Sequence, residues 1–363
     1  MDLNILDSFR NEKECQEILN LLKKEISGPF RFMEVCGTHT MSLFQSGLHD
    51  LLPSEIKHLS GPGCPVCVTS PEELSACLDL AYNHDLIMVT FGDMIRVPDH
   101  QGRSLKSVQS EGAAIQVCYS PSEALSLARK KQNKHVVLLG IGFETTAPAI
   151  AAIVQEAFRQ GIPNFSVFSC HKCIPAALRA LLQDEQVQVD AFLLPGHVSS
   201  IIGLSPYRFL AEEFHVPGII AGFEPLDILT ALYTLVIQDK KSIFQVINQY
   251  KRAVKDEGNQ TAQKIMTESF DIIDTKWRGL GVLPKSGLQL RDKYKDFDTK
   301  RRFHLTPQEV LDPPGCCCGS ILTGKMRPDE CPLFKKTCSP SHPVGPCMVS
   351  TEGSCAAYFR YQR

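Results

Sequence analysis

Short apolar runs alternate with amphipathic stretches along roughly the first 225 residues of the chain. The runs are rich in Val, Ile, Leu and Phe, and each ends near Gly, His, Cys or Thr. In chain order they are FRFMEVCGTH (30–39), HLSGPGCPVC (58–67), DLIMVTFGD (85–93), AIQVCYSP (114–121), HVVLLGIGFETT (135–146), FSVFSCHK (165–172), AFLLPGHVS (191–199) and PGIIAGFEP (217–225). Apolar strands separated by amphipathic helices are typical of a parallel sheet that is covered on both faces. The pattern therefore predicts an α/β fold built on parallel sheets.

The grouping of these runs predicts the domain organisation. Four runs lie before the polar stretch ARKKQNK (128–134) and four after it, so we expect two Rossmann-like α/β domains of similar topology, at 1–130 and 131–230. After Glu224, apolar residues fall at helical spacing over about 45 residues with no strand pattern. The third region, 231–363, is therefore predicted to be a helical segment that leads into a cysteine-rich domain.

Two of the predicted helices begin with a capping box. In SPEE (70–73) and SPSE (120–123), a serine precedes a proline at the first helical position, and a glutamate follows three residues after the serine. We expect a helix to begin at each of these places.

Composition and charge exclude several classes of protein. A chain of 363 residues can bury the cores of two or three domains, and its formal charge of −2 comes from interspersed acidic and basic residues, with no basic stripe for nucleic acid. No uncharged apolar run approaches the roughly 18–20 residues of a membrane span. The N-terminus lacks the basic and apolar regions of a signal peptide, so we expect a cytoplasmic protein.

The cysteines indicate metal or redox chemistry. The chain has 15 of them, and seven lie between Pro313 and Tyr358. Cytoplasmic thiols are kept reduced, so clustered cysteines are more typical of metal ligands or a redox relay than of structural disulfides.

The spacing of the tail cysteines favours an iron-sulfur cluster over a zinc ribbon. Four thiolates at C-x14-C-x6-C-x16-C spacing lie in a backbone rich in Gly and Pro that can wrap a cubane; they are Cys316, Cys331, Cys338 and Cys355. A zinc ribbon would favour two C-x2-C knuckles, and the tail has none, although C-x6-C is a loose spacing for either metal. Cys318 and Cys347 remain as a second pair, and Cys317 is left without a role.

The segment GPGCPVC (61–67) contains a C-x-x-C pair, Cys64 and Cys67. Such a pair can cycle between dithiol and disulfide, and the helix that follows Ser70 would favour the thiolate through its N-terminus. Half of a zinc site is the alternative interpretation, and it would need two more ligands from elsewhere in the chain.

The segment EVCGTHT (34–40) places a cysteine at a strand end, with a histidine three residues later. These two side chains could share one metal ion or form a Cys-His catalytic dyad, and a packing cysteine is the third interpretation. Since ligands bind beyond the carboxyl ends of parallel strands, we expect the polar and thiol side chains at strand ends to face one cleft. They are Cys36, His39, Cys64, Cys67, Asp93, Glu144, His171 and His197.

The remaining cysteines lack partners at ligand spacing, and we interpret them as packing residues. They are Cys15, Cys77, Cys118, Cys170 and Cys173.

Several longer motifs extend from about residue 30 to the C-terminus. They are CGTHT (36–40), GPGCPVCVT (61–69), TFGDMIRVP (90–98), GIGFETTAP (140–148), PGHVS (195–199), GFEP (222–225) and CPLFKKTCSPSHPVGPCMVSTEGSCAAY (331–358). Together they resemble the HypD family, the maturation factors of nickel-iron hydrogenases.

This resemblance implies an assembly scaffold with redox activity rather than a conventional turnover enzyme. Proteins of the family form a complex with a small partner, HypC, on which the Fe(CN)2CO unit of the hydrogenase is assembled, and cyanide comes from HypE and HypF. The resemblance implies that Cys36 and a terminal cysteine of HypC hold the iron together, with His39 close by. It also implies that Cys64 and Cys67 form a redox pair beside that iron, in a monomer that joins a HypC chain.

The resemblance also assigns roles to the tail cysteines. It implies a 4Fe-4S cluster on four of them, with a neighbouring dithiol that relays electrons, as in ferredoxin-thioredoxin reductase. The implied cluster ligands are Cys316, Cys331, Cys338 and Cys355, and the implied dithiol is Cys318 with Cys347. Cys317 departs from the family pattern, in which the residue between the first two tail cysteines is usually not Cys.

Two other functions fit the same cysteines. A thiol-disulfide oxidoreductase would use the C-x-x-C pair and the cluster but would turn over without HypC. A zinc-stabilised interaction module would keep the tail cysteines without redox activity. The chain has no G-x-x-x-x-G-K-[ST] loop for a nucleotide.

Overall fold

Two parallel sheets form the centre of the fold. The computed structural model describes residues 11–83, 85–306 and 308–362. The strands are β1 (Phe30–Glu34), β2 (Ile56–Ser60), β3 (Leu86–Thr90), β4 (Ala114–Val117), β5 (His135–Gly140), β6 (Phe165–Ser169), β7 (Ala191–Pro195), β8 (Gly218–Ala221), β9 (Val246–Asn248), β10 (Phe270–Trp277) and β11 (Gly281–Leu290). The first sheet has the order β2-β1-β7-β8-β9 and the second has the order β4-β3-β5-β6. Neighbouring strands in both sheets run parallel, so the predicted α/β class is confirmed.

Helices connect the strands and cover the sheets. They are α1 (Glu12–Glu25), α2 (Gly37–Gln45), α3 (Leu48–Leu51), α4 (Pro65–Val68), α5 (Pro71–Asn83), α6 (Leu105–Ser110), α7 (Pro121–Lys130), α8 (Ala147–Arg159), α9 (Ile174–Gln183), α10 (Gly196–Ile202), α11 (Phe209–Glu212), α12 (Pro225–Lys240), α13 (Gln260–Ser269), α14 (Thr299–Arg302), α15 (Cys318–Leu322), α16 (Pro346–Val349) and α17 (Ser354–Tyr361). Among the residues described, no helix is both long enough and apolar enough to span a bilayer.

Burial on both faces explains why the strands are continuous apolar runs in the sequence. All five residues of β7 are buried, and so are the last five of β5. α1 and α12 pack together on one side of the first sheet, where their leucines form one core with Phe30 and Phe32. A strand that is covered on both faces has no solvent side, so it carries no polar alternation.

The strands are not grouped in chain order, and the predicted division at 128–134 is wrong. The chain leaves the first sheet after β2, builds the whole second sheet, and returns to the first sheet as β7. β7 then pairs with β1, placing Phe32 opposite Ala191. The polar stretch falls between β4 and β5, which belong to the same sheet, because it is only the exposed end of α7 and its loop.

The region after Glu224 is not purely helical. α12 and α13 are separated by β9, which extends the first sheet, and an antiparallel hairpin of β10 and β11 follows. A three-residue strand such as β9 is too short to show a period of two, so the sequence pattern missed it. The sequence pattern also did not predict the β10–β11 hairpin.

Both predicted capping boxes are present. The Glu73 N–H donates to Ser70 Oγ at 3.2 Å, and the Ser70 N–H donates to Glu73 Oε2 at 3.3 Å. The Ser120 N–H donates to Glu123 Oε1 at 2.8 Å. These bonds satisfy amide groups that the first helical turn leaves without intrahelical partners.

The β10–β11 hairpin is hydrogen-bonded to the C-x-x-C segment. The Arg278 N–H donates to the carbonyl of Val68 at 3.0 Å, at the end of α4, and Trp277 is fully buried beside it. Lys172, also fully buried, anchors the hairpin because its Nζ lies 2.9 Å from Glu73 Oε2 and 2.8 Å from the carbonyl of Lys276. A buried ammonium needs such partners, since an unpaired charge in the interior is very costly.

Candidate functional site

Cys36 lies where β1 ends and α2 begins. Its backbone N–H donates to Glu34 Oε2 at 2.9 Å, and the Thr40 hydroxyl donates to Glu34 Oε1 at 2.6 Å. Glu34 thus joins the start of α2 to its first turn, although sequence reasoning did not single it out. Cys36 as a whole is only 7% exposed, and it lines a cleft.

The C-x-x-C loop packs directly against Cys36. The Gly37 N–H donates to the carbonyl of Gly63 at 3.0 Å, and a Cβ atom at Gly63 would lie only 2.2 Å from the Cys36 nitrogen. Only glycine permits so close an approach of two backbones. The next residue after Gly63 is Cys64, which is buried and disulfide-bonded to Cys67.

A cleft of about 340 Å³ opens in front of Cys36. It lies at the carboxyl ends of strands from both sheets, as the parallel fold predicts. Its lining includes Cys36, Thr38, Gly63, Thr145, His197 and Glu352. The lining contains a thiol, an imidazole and a carboxylate but no Lys or Arg side chain. Its chemistry therefore suits a cation or a metal-bound group.

The environment of Cys36 keeps its thiol protonated in the absence of a metal. Burial, and next the nearby Glu352 carboxylate, raise the pKa of Cys36 to about 12. A metal ion that binds such a cysteine must displace the proton, because the thiolate is the form that coordinates metals.

His39 lies behind the cleft rather than in its lining. Its Nε2 is 2.9 Å from the carbonyl of Gly222, and its Nδ1 is buried with no hydrogen-bond partner among the residues described. Its ring centroid lies 4.7 Å from that of Phe223, whose ring in turn stacks on His197 at 4.2 Å. Burial lowers the pKa of His39 to about 4, so the ring is neutral at pH 7.

Glu352 brings the C-terminal tail into the cleft. The Thr38 hydroxyl donates to Glu352 Oε1 at 2.7 Å, and a Cβ atom at Gly37 would lie 2.5 Å from both Cβ and the carbonyl oxygen of Glu352. The neighbouring Thr351 N–H and hydroxyl both donate to Asp93 Oδ2 at 2.9 Å. The position of Glu352, three residues before a tail cysteine, was the only sequence signal for it, and we did not predict its role.

The other residues predicted at strand ends do not share the cleft. Asp93 binds the tail, and Glu144 accepts the Ile174 N–H at 3.1 Å and lines a different cavity. His171 is buried, with its Nδ1 3.0 Å from Ser169 Oγ. The expectation of one common cleft is therefore wrong for these three, because the side chain of each is bound to another element instead of pointing into the cleft.

The tail cysteines form a second site, a narrow pocket that α15 and α16 help to line. Six of them line it, namely Cys316, Cys317, Cys318, Cys331, Cys338 and Cys355. A Cβ atom at Gly345 would lie 2.4 Å from Cys316 Sγ and 2.8 Å from Cys318 Sγ, so both thiols pack directly against the backbone of this glycine. Six soft thiol donors around one pocket, with a glycine that admits them, fit an iron-sulfur cluster.

The thiols in this pocket also interact with one another. Cys318 interacts with Cys316 on one side and with Cys347 on the other, and Cys347 reaches Cys355. Cys317, which is only half-buried, interacts instead with Cys331. In the parts of the chain that the structure describes, no three His, Cys, Asp or Glu side chains are arranged to hold a single metal ion. A cubane differs from a single ion because each thiolate binds a different iron atom.

The two cysteine sites are adjacent in the fold. α4, which carries the C-x-x-C disulfide, contacts both α15 and α16, the helices of Cys318 and Cys347. α17, which carries the last tail cysteine, packs on α2, the helix that follows Cys36. The cysteines interpreted as packing residues are buried except for Cys173, which is half-buried.

Comparison with known proteins identifies the family. Residues 12–362 match the HypD family model, described as "Hydrogenase formation hypA family". The chain is 42% identical to the hydrogenase maturation factor HypD of Escherichia coli K12, over 99% of both chains. It is 41% identical to the hydrogenase expression/formation protein HupD of Azotobacter chroococcum, over 99% of this chain and 97% of the relative. It is 40% identical to HypD of Cupriavidus necator, over 99% of this chain and 98% of the relative. The chain therefore belongs to the HypD family of hydrogenase maturation factors.

Proposed function

We propose that this chain is the scaffold on which the Fe(CN)2CO unit of [NiFe]-hydrogenase is assembled. The iron is the cargo, held between the Cys36 thiolate and a cysteine of a HypC-type partner, and a HypE-type protein delivers the cyanide. The observation that carries the proposal is the Cys36 thiol, which faces a cleft of about 340 Å³ with the C-x-x-C loop packed against its backbone.

The donors around the cleft support an electron-rich iron. Cyanide and carbon monoxide bind best to a metal that can return electron density to them, and a thiolate supplies that density. Behind the cleft, His39 is a neutral imidazole whose Nδ1 lone pair has no hydrogen-bond partner among the residues described. The cleft is open to the surface, so a partner protein can complete the coordination.

The tail pocket supports a resident 4Fe-4S cluster with Cys316, Cys331, Cys338 and Cys355 as ligands. Such a cluster supplies electrons one at a time. Cys318 and Cys347, which interact directly, then serve as the dithiol of the relay.

The contact of α4 with α15 and α16 supports an exchange between the two cysteine pairs. The Cys318 and Cys347 thiols would reduce the Cys64–Cys67 disulfide by thiol-disulfide exchange. Two electrons and two protons pass to Cys64 and Cys67, and a Cys318–Cys347 disulfide forms in their place. The reduced pair then lies beside Cys36, where its two electrons would release cyanide from a thiocyanate-like carrier on the HypE-type protein. That step leaves a thiolate on the carrier and re-forms the Cys64–Cys67 disulfide.

Metal content and infrared absorption test the proposal. We expect anaerobically purified protein to carry about four iron and four sulfide per chain, with extra iron and with cyanide and carbonyl bands when the partner is co-expressed. Zinc without sulfide, and no such bands, would show that the tail is a structural ribbon and that the chain does not carry the cargo.

The disulfide at Cys64 and Cys67 favours one alternative, a thiol-disulfide oxidoreductase. An enzyme of that kind would reduce a disulfide substrate catalytically with the tail cluster as electron source. Turnover of a model disulfide at an undiminished rate without any partner protein would favour this function, whereas we expect none.

A further inference from the structure

A second cavity lies beside the cleft and has no role in the proposed function. Its volume is about 520 Å³, within the range of roughly 300–1,000 Å³ that is usual for small-molecule sites. α9, α10, α13 and the β10–β11 hairpin form its walls, and much of the lining is apolar, including Ile202, Met266, Phe270 and Leu288. Ile272, at its edge, is 62% exposed, which is unusual for a large apolar side chain.

This cavity is separate from the Cys36 cleft. The two share no lining residue, yet Glu144 and Ile202 line the cavity while their chain neighbours Thr145 and Ile201 line the cleft. The wall between them is therefore one residue thick at two places. A ligand in the cavity would lie close to the cleft without competing for Cys36.

The charges around the cavity favour an anion. Its charged lining residues are Glu144, Asp271, Lys285 and Arg291. Asp271 is paired with Arg291, whose Nε lies 3.2 Å from Oδ1. Burial raises the pKa of Glu144 to about 8, so this carboxyl group is mostly uncharged at pH 7 and does not repel an anion. The ammonium of Lys285 leaves the cavity with a net positive charge.

We propose that this cavity binds a small organic anion, with its apolar body against Ile202, Met266 and Leu288 and its acidic group beside Lys285 and Arg291. Concave apolar walls with a few polar groups at one side are the usual construction of such sites. The proposal does not depend on iron assembly, so either can fail without the other.

Calorimetric titration of the full-length protein with two matched probes tests this site. The probes are 4-phenylbutyrate and its uncharged amide, 4-phenylbutanamide, which differ only in the charge of the head group. We expect one saturable site, with the acid bound about tenfold more tightly than the amide, because an ionised partner strengthens the contact with the cations.

Two variants locate the binding. Ala176→Trp, on the cavity wall, should abolish binding of both probes by filling the space. The double variant Lys285→Ala/Arg291→Ala should remove the preference for the acid and leave amide binding unchanged. Lys57→Ala, an exposed lysine on β2, is the control and should behave as wild type.

Three results would overturn the proposal. They are the absence of saturable binding by either probe, equal affinity of wild type for acid and amide, and undiminished binding in a folded Ala176→Trp protein. Circular dichroism establishes whether that variant is folded. If it is not, the double variant decides alone, because retained preference for the acid would show that the cavity is not the site.

Discussion

Replacing Gly63 by alanine tests whether the C-x-x-C loop is held against Cys36 by backbone contact. The added Cβ atom would lie 2.2 Å from the Cys36 nitrogen, 2.3 Å from the Val35 carbonyl carbon and 2.6 Å from Cys36 Cα. All three are backbone atoms, so no rotamer change can relieve the overlap. Real Cβ contacts are essentially never under 3.0 Å, and the loop must therefore move by about 0.8 Å.

The cost of this shift can be estimated from known substitutions. Overpacking a well-packed site costs about 1–3 kcal/mol, and alanine recovers about 0.4–1 kcal/mol by restricting the unfolded chain. We therefore expect Gly63→Ala to lower the free energy of unfolding by about 1–2 kcal/mol. Because the loop carries Cys64 away from Cys36, we also expect less iron bound per complex with the partner.

Urea unfolding followed by circular dichroism gives the first quantity, and iron analysis of the purified complex gives the second. Gly28→Ala is the matched control, because a Cβ atom there meets nothing within 4 Å. It should leave both quantities at or slightly above the wild-type values. If Gly63→Ala unfolds like wild type and retains full iron, the close packing of the loop on Cys36 is refuted.

Three further predictions follow from the buried charges and the cysteine pairs. Lys172→Met should lower the free energy of unfolding by about 3–5 kcal/mol, because it leaves the buried Glu73 carboxylate with one cation fewer. A urea titration measures this quantity, and a loss under 1 kcal/mol would contradict the prediction. Burial alone would raise the pKa of Glu73, but Lys172 and Lys300 outweigh it and lower the pKa to about 2. The folded pKa of Glu73 is thus below the unfolded value of 4.5, so Glu73 contributes stability above pH 4.5 that is lost as the pH falls towards 2. Glu73→Gln should make the free energy of unfolding less dependent on pH in that range. An unchanged dependence on pH would contradict this prediction. Cys64→Ala/Cys67→Ala should fold and bind the partner but lack cyanide bands in the infrared spectrum, and full bands would exclude the relay.

The sequence predicted the strands far better than their pairing. Each of the eight apolar runs contains or adjoins a strand, because full burial selects Val, Ile, Leu and Phe regardless of which neighbour a strand has. Pairing depends instead on where each crossover returns, and β7 lies 157 residues beyond the end of β1 at Glu34 when it returns at Ala191. Nothing local to either strand encodes that contact.

In the candidate site, too, residues in short motifs were predictable from the sequence, and residues brought in from distant segments were not. Cys36 and the C-x-x-C pair were recognisable because their chemistry is carried by short motifs whose members remain neighbours in the fold. Glu352 was not, since its partner Thr38 is 314 residues away and neither residue is unusual in its own segment. Glu144 and His171 do not line the cleft, because a strand end gives the edge of a sheet but not the direction in which each following side chain points.

The most direct test of the central proposal is an infrared spectrum of the Cys36→Ser protein purified anaerobically with its HypC-type partner. Serine keeps the shape of the Cys36 side chain but replaces the soft sulfur donor with a smaller, hard oxygen. We predict that the cyanide and carbonyl bands of the wild-type complex disappear, while partner binding and the visible absorption of the tail cluster stay as in wild type. Bands of full intensity in the variant would show that Cys36 does not hold the iron and would contradict the account.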